Sequence, residues 1–201
     1  RDLVRSRGLG DVYKRQRVTL GDSVAIVGPG GIGMLILQVV KAAGAGQVVM
    51  TGLGIDKLRL EACKRIGADV VVNVEDENPE LKIQELTNGM GADITFEATG
   101  SPKAVQQAIS ITRKGGIIVV LGVHSTLAKE FDVTHLVNRE KTVMGSWAHN
   151  SSTWNHSISL LASHKVRPKE LITHELSLNR IEEAFQLVEE RKALKVLVKP
   201  S

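Results

Sequence analysis

"SVAIVGPGGIGMLILQ", residues 23–38, is an apolar run, three glycines spaced G-x-G-x-x-G, and a second apolar run. The first run is short and rich in β-branched residues, which suits a strand covered on both faces. The second fits a helix. Gly28 between them can take the backbone angles of a tight turn, Gly30 lets a diphosphate approach the main chain, and Gly33 lets the helix lie close on the strand. The first helical N–H groups, those of Gly31, Ile32 and Gly33, lack intrahelical partners, and with the helix dipole they favour an anion by about 0.3–2 kcal/mol. A glycine turn alone is a weak signal, because such turns also cap strands that bind nothing.

The alternation that starts there continues along the chain. Short β-branched runs at 23–27, 47–51, 69–73, 92–96, 116–121 and 142–146 read as strands. Amphipathic stretches at 31–43, 56–66, 79–88 and 102–113 read as helices, the last opened by Ser101 as N-cap and Pro102 at the first position. Six strands joined by helical crossovers predict an α/β fold, a doubly wound parallel sheet of the Rossmann type. After Gly145 the rhythm changes. A helix over 151–164 is followed by a tail whose Ile181, Ala184, Phe185 and Val188 mark one helical face before a last short strand. We therefore expect residues 17–147 to form a dinucleotide-binding domain and 148–201 to belong to a second one.

Doubly wound sheets bind ligands off the carboxyl ends of their strands. Gly52, Thr99, Gly100, Gly122 and Val123 end three of the expected strands and should border that crevice. Glu97 is the acidic residue at the same edge, placed either to meet a ligand or to hydrogen-bond backbone.

The rest of the composition excludes several classes. The net charge is +4, but residues 1–16, "RDLVRSRGLGDVYKRQ", hold five Lys or Arg against two Asp and so carry +3 of it. The basic excess is local, and no nucleic-acid partner is expected. That opening has no helical or strand period and resembles translated sequencing-adapter read-through, so it is expected to be non-native. The longest apolar stretches stop well short of the ~20 residues a membrane helix needs, and no leader precedes them, so a cytoplasmic protein without membrane contact is expected. Cys63 is the single cysteine, which rules out an intrachain disulfide and a four-cysteine zinc site. It lies in "DKLRLEACKRIG" beside Leu58, Ala62 and Ile66 and reads as a packing residue. The six histidines, His124, His135, His149, His156, His164 and His174, include no i,i+4 pair and read as surface or hydrogen-bonded residues.

Five stretches, "VAIVGPGGIGMLILQVVKAAG", "KRIGADVVVN", "GADITFEATGS", "RKGGIIVVLGV" and "LITHELSLNRIEEAFQLVEERKALKVLVKP", taken in their order and spacing, resemble the zinc-type medium-chain alcohol dehydrogenases, in the branch holding sorbitol and threonine dehydrogenases. The resemblance runs from about residue 17 to the end. It implies that the catalytic zinc ligands, the proton relay and the structural zinc lobe belong to an N-terminal domain that this chain lacks, so zinc is expected only there and this chain alone is expected to turn over no alcohol. It also implies that Val123 and the Ser146-Trp147-Ala148 segment flank the nicotinamide, that Lys195 reaches the pyrophosphate, and that the whole protein is a homo-oligomer paired through "KTVMGS". The expected activity is hydride transfer between a polyol or secondary alcohol and NAD or NADP. The alternatives are a non-catalytic nucleotide-binding module, a zinc-independent reductase, whose usual turn begins with Ala where Gly28 stands, and a methyltransferase, which shares glycine-rich first turns but against which the long family-like tail argues.

NAD-selective members of the resembled family place an Asp or Glu on the ribose at the end of the second strand. In "QVVMTGLGIDKLRL" that place falls on Gly52 counted from the strand, or on Gly54 counted back from the helix. No acid stands at either, which predicts weak discrimination between NAD and NADP, tilting slightly to NAD on the habit of the resembled family. Asp56 is placed to restore NAD preference, and Lys57 or Arg59 to pair with the 2′-phosphate of NADP.

Overall fold

The computed structural model describes residues 18–124, 126–127, 131–148 and 151–200, so the expected adapter-like opening lies outside the described residues. Six strands, β1 (Ser23–Val27), β2 (Gln47–Gly52), β3 (Val70–Asn73), β4 (Ala92–Glu97), β5 (Thr112–Val120) and β6 (Thr142–Gly145), form one sheet. Every pairing is parallel and the order is β3-β2-β1-β4-β5-β6. The doubly wound sheet expected from the alternation is therefore present. The winding of the sheet reverses between β1 and β4, with β2 and β3 on one side and β5 and β6 on the other.

Alternate residues of β1 serve opposite layers, as the period of a strand dictates. Val24 and Ile26 pack with Met34, Ile36, Leu37 and Val40 of helix α1 (Gly31–Ala43) and with Leu60 and Cys63 of α2 (Lys57–Arg65). Ala25 and Val27 face the other way, against Ile83 of α3 (Pro79–Leu86) and Ala104, Val105, Ala108 and Ile109 of α4 (Pro102–Ile111). Phe96, the largest fully buried side chain, joins the α1 layer from β4.

Local chemistry sets most boundaries. Gly44 ends α1 in the left-handed region, its N–H turned back to Lys41 and Val40 carbonyls. Asn78 caps α3 by accepting the N–H groups of Glu80 and Leu81, with Pro79 next. Ser101 differs from expectation: it holds the N-cap position of α4 but its side chain makes no capping bond. Helix α4 ends at Ile111 and β5 begins at Thr112, earlier than the expected 116. Thr112 pairs with Ala92 while Ile117 pairs with Ile94, so residues 113–116 bulge within the strand, with Gly115 at φ +66°. In α2, Leu60 rather than Leu58 is buried beside Ala62 and Cys63.

At the amino edge of the sheet, Asp93 accepts the Ser23 N–H at 2.8 Å, the Ser23 hydroxyl at 2.6 Å and Arg113 Nε at 2.5 Å, joining β1, β4 and β5. Desolvation raises the Asp93 pKa, but the bonds from Ser23 and Arg113 outweigh it and hold the carboxyl below its ordinary value.

After β6 the chain leaves this sheet. Helix α6 (Ser151–Ala162) leads to β7 (Ile172–Ser177), α7 (Ile181–Glu189) and β8 (Lys195–Lys199), and β7 and β8 form a separate two-stranded parallel sheet. The expected face of α7 is mostly exposed, with Ala184 its buried member. A short helix α5 (Val133–Asn138) precedes β6; it buries none of its residues, and β7 likewise lacks a strong apolar period, so neither element is legible in the sequence. No helix among the described residues is long and apolar enough to cross a membrane.

Cys63 is fully buried, and burial, assisted by the charge of Asp56, pushes its thiol up to about 12. The folded chain is expected to react with iodoacetamide at pH 8 roughly a thousandfold more slowly than the urea-unfolded chain, because the thiolate is the reactive form. Mass spectrometry of timed quenches reads the ratio, and equal rates would contradict the packing of Cys63.

Candidate functional site

The winding of the sheet reverses between β1 and β4, the place where doubly wound sheets hold ligands in a crevice off the carboxyl ends of their strands, and five connections border it. The first is the glycine turn. Gly28 sits at φ +107°, a left-handed conformation that favours glycine, and its N–H donates to Thr51 O at 3.0 Å. A Cβ on Gly28 would lie 2.5 Å from Thr99 Cγ2, and one on Gly33 would lie 2.0 Å from the carbonyl oxygen of Gly28. Helix α1 therefore rests against the end of β1 at a distance no side chain permits. Gly30 is extended at the N-cap and makes no side-chain cap, the first turn holds no acid, and the space where its Cβ would stand is empty to 4 Å. The amino end of α1 thus presents N–H groups to open space.

The second border is the turn after β4, organised by Glu97. This fully buried carboxylate accepts Thr99 N–H at 2.6 Å, Thr99 Oγ1 at 2.5 Å and Gly100 N–H at 3.1 Å through Oε1. Three donors on one oxygen hold the loop in place of a ladder. The turn after β5 crosses just above it: a Cβ on Gly100 would meet Val123 O at 2.5 Å, and one on Gly122 would meet Gly100 N at 2.1 Å. Val123 itself is exposed, and Ser146, after β6, is buried with its N–H on Val120 O. His124 is neither a surface nor a hydrogen-bonded residue among the described residues: it turns inward, with Nε2 3.6 Å from Glu97 Oε2 and both ring nitrogens unpaired.

At the β2 border the structure revises the sequence reading. A Cβ on Gly52 would lie 2.8 Å and 2.9 Å from Cγ and Cδ of Pro29, so the proline of the turn occupies the room an acid stem would need. Asp56 is not available to a ligand. It is buried, accepts Leu53 N–H at 3.3 Å, lies 3.6 Å from Arg59 Nη1, and pairs with Arg191 from the C-terminal tail. Arg59 is correspondingly turned inward, and desolvation lowers its pKa despite Asp56. Lys57 is exposed, and Lys195 is exposed at the start of β8. Arg191, 135 residues from Asp56 in sequence, is the contact that no local signal could have revealed.

Among the described residues no three His, Cys, Asp or Glu gather around a point that would hold a metal. The profile of one family, zinc-binding dehydrogenase, matches residues 31–163. The chain belongs to the zinc-binding dehydrogenases.

Within that family it is 34% identical over 183 residues to a sorbitol dehydrogenase of Halalkalibacterium halodurans, covering 91% of this chain and 53% of the relative. It is 37% identical over 188 residues to human sorbitol dehydrogenase, covering 92% and 52%. The alcohol dehydrogenase of Thermus sp. ATN1 superposes with a TM-score of 0.88 at 27% identity, over 96% of this chain and 56% of that one. The 2R,3R-butanediol dehydrogenase of Bacillus subtilis gives 0.85 at 29%, over 96% and 55%. This zinc-binding dehydrogenase chain spans about half the length of the relatives it matches.

Removing the Asp56 carboxylate leaves two guanidinium groups facing each other, one of them mostly buried. Asp56→Ala is expected to cost about 3 kcal/mol or more in urea unfolding, and Arg191→Ala less, since Arg191 is one-third exposed and leaves the Asp56–Arg59 pair. Small and equal losses would show that Asp56 does not organise this corner.

Proposed function

We propose that the chain is the cofactor-binding part of a dehydrogenase that moves hydride between a polyol or secondary alcohol and a nicotinamide dinucleotide. The observation that carries this is the approach of Gly33 to the Gly28 carbonyl, which aims the uncapped amino end of α1 at the open space over Gly30. A diphosphate fits there: the N–H groups of Gly31, Ile32 and Gly33 donate to it, and the dipole favours its charge. The nicotinamide cofactor, when bound, supplies the hydride acceptor. Thr99, Gly100 and Val123 would line its path along the crevice, with Ser146 near the nicotinamide and Gly52 and Lys57 toward the adenosine end, while Arg59, expected there from the sequence, is held on Asp56 instead. Lys195 stands as a further pyrophosphate contact on the strength of the family resemblance.

Residues 17–147 form the dinucleotide unit in this reading, and 148–201 return to complete a catalytic domain supplied by the longer protein. The separate β7–β8 sheet supports that division. The zinc ligands of the family would come from the same longer protein, and no step through zinc is assigned to residues of this chain. The edge strand β6, whose Thr142 and Val143 are exposed, would pair with a second subunit. The whole protein would work in the cytoplasm.

Titration with NADH, followed by nicotinamide fluorescence, tests the reading. The 201-residue chain is expected to bind NADH and to reduce neither NAD nor NADP with alcohols. Gly30→Val should leave the melting temperature within a few degrees but weaken NADH at least tenfold, about 1.4 kcal/mol, by filling the space over the helix end. Equal binding by parent and variant would refute the cradle, and tighter binding of S-adenosylmethionine than NADH would favour a methyltransferase.

A further inference from the structure

We propose that Glu75, in the turn after β3, supplies the carboxylate that reads the cofactor ribose, in place of the acid missing from the end of β2. The inference rests on the dinucleotide reading above and adds to it a residue that sets the choice between NAD and NADP.

Three observations meet at this point. First, the usual position is closed. Pro29 lies where a side chain on Gly52 would begin, and Asp56 is held inside by Arg59 and Arg191. Second, the parallel register sets Gly52 opposite Asn73, so the turn that follows β3 rises beside the end of β2. Third, Glu75 reaches across that gap. Its Oε2 accepts the Gly54 N–H at 2.7 Å, and a Cβ on Gly54 would lie 2.7 Å from the same oxygen. The carboxylate of Glu75 therefore occupies the place a side chain on residue 54 would take.

The turn that carries Glu75 is pinned. Asn73 Oδ1 accepts the Glu75 N–H at 3.2 Å, Asn73 Nδ2 donates to Asp76 Oδ2 at 2.5 Å, and Asp76 N–H returns to Asn73 O at 3.1 Å. Glu75 is exposed, so its carboxylate meets solvent beside the end of β2. A carboxylate offers about four lone-pair sites, and one bond from Gly54 leaves capacity for the 2′- and 3′-hydroxyls of a ribose. The same charge repels a 2′-phosphate. Of the two cations that could compensate, Arg59 is turned toward Asp56 instead, and Lys57 is exposed on the first turn of α2. A chain whose second strand ends without an acid is thereby expected to prefer NAD, against the weak discrimination expected from the sequence.

The experiment is the dissociation constant of NADH and of NADPH, at one fixed salt concentration, for the 201-residue chain, Glu75→Gln and Glu75→Ala. Glu75→Gln keeps an oxygen for the Gly54 N–H and loses only the charge, so it guards against a folding defect, which the melting temperature reports. The parent is expected to bind NADH at least tenfold more tightly than NADPH. Each variant should lower the NADH-to-NADPH preference by roughly 10- to 100-fold, the worth of a charged hydrogen bond. A preference unchanged within about threefold in both variants, or a parent that favours NADPH, would overturn the role of Glu75. A parent that binds neither cofactor would overturn the dinucleotide reading itself, and this inference with it.

Discussion

The crevice depends on one contact distance. With a Cβ at residue 33, the first turn of α1 would drive an atom to 2.0 Å from the Gly28 carbonyl, so either the helix would lift from the sheet or the turn after β1 would open. Glycine at both positions lets the amino end of α1 sit directly over the end of β1. The direction of that helix then follows from its apolar face, because Met34, Ile36, Leu37 and Val40 can reach the core only when the axis lies along the sheet. The open, uncapped helix end at the reversal point is a consequence of these two demands together.

Carboxylates act as struts where the strand ladders stop. Asp93 ties the amino ends of β1, β4 and β5, Asp69 accepts Val48 N–H at 2.6 Å beside β2, and Glu97 folds the turn after β4 back on its own strand. Each replaces missing backbone partners with charge-assisted bonds that keep neighbouring connections in register. Glu97 is the extreme case. Burying a carboxylate is costly, and three donors on Oε1 offset that cost, while Oε2 has no hydrogen-bond partner among the described residues and lies 3.6 Å from Nε2 of His124. Asp56 does comparable work between distant parts of the chain, since its ion pair with Arg191 fastens the C-terminal tail to the loop after β2.

Pro29 and Gly52 form a matched pair. The proline stiffens the glycine turn, and its ring fills the volume that a side chain at the end of β2 would enter. If the glycine turn holds a phosphate and the end of β2 a ribose, as proposed, rigidity at the one and the absent acid at the other are the same packing fact. Under the proposed reading, recognition of the ribose shifts to the neighbouring turn, where Glu75 meets Gly54.

Much of the sheet was legible without coordinates. β1 and α1 fall on the expected residues, because a β-branched run, a glycine turn and a 3.6-residue apolar period are all local properties. α3 starts at the expected Pro79 but ends at Leu86, two residues short of the expected 88. Legibility stopped where structure depends on partners far away in sequence. The bulge at Gly115 extends β5 backward because Thr112 finds Ala92, α5 carries no apolar period because none of it is buried, and β7 alternates in burial but with the polar His174 on its inner side, so the alternation does not read as an apolar one. The sequence put the glycine turn and the strand ends where the structure has them. It read Asp56 and Arg59 as groups placed to meet a cofactor, and it gave no sign that Glu75 reaches Gly54. Backbone propensity and apolar period are set by adjacent residues. The partner of a charge is set by which strand ends the folded sheet brings together, and only the tertiary structure decided that Asp56 meets Arg191 and that Glu75 meets Gly54.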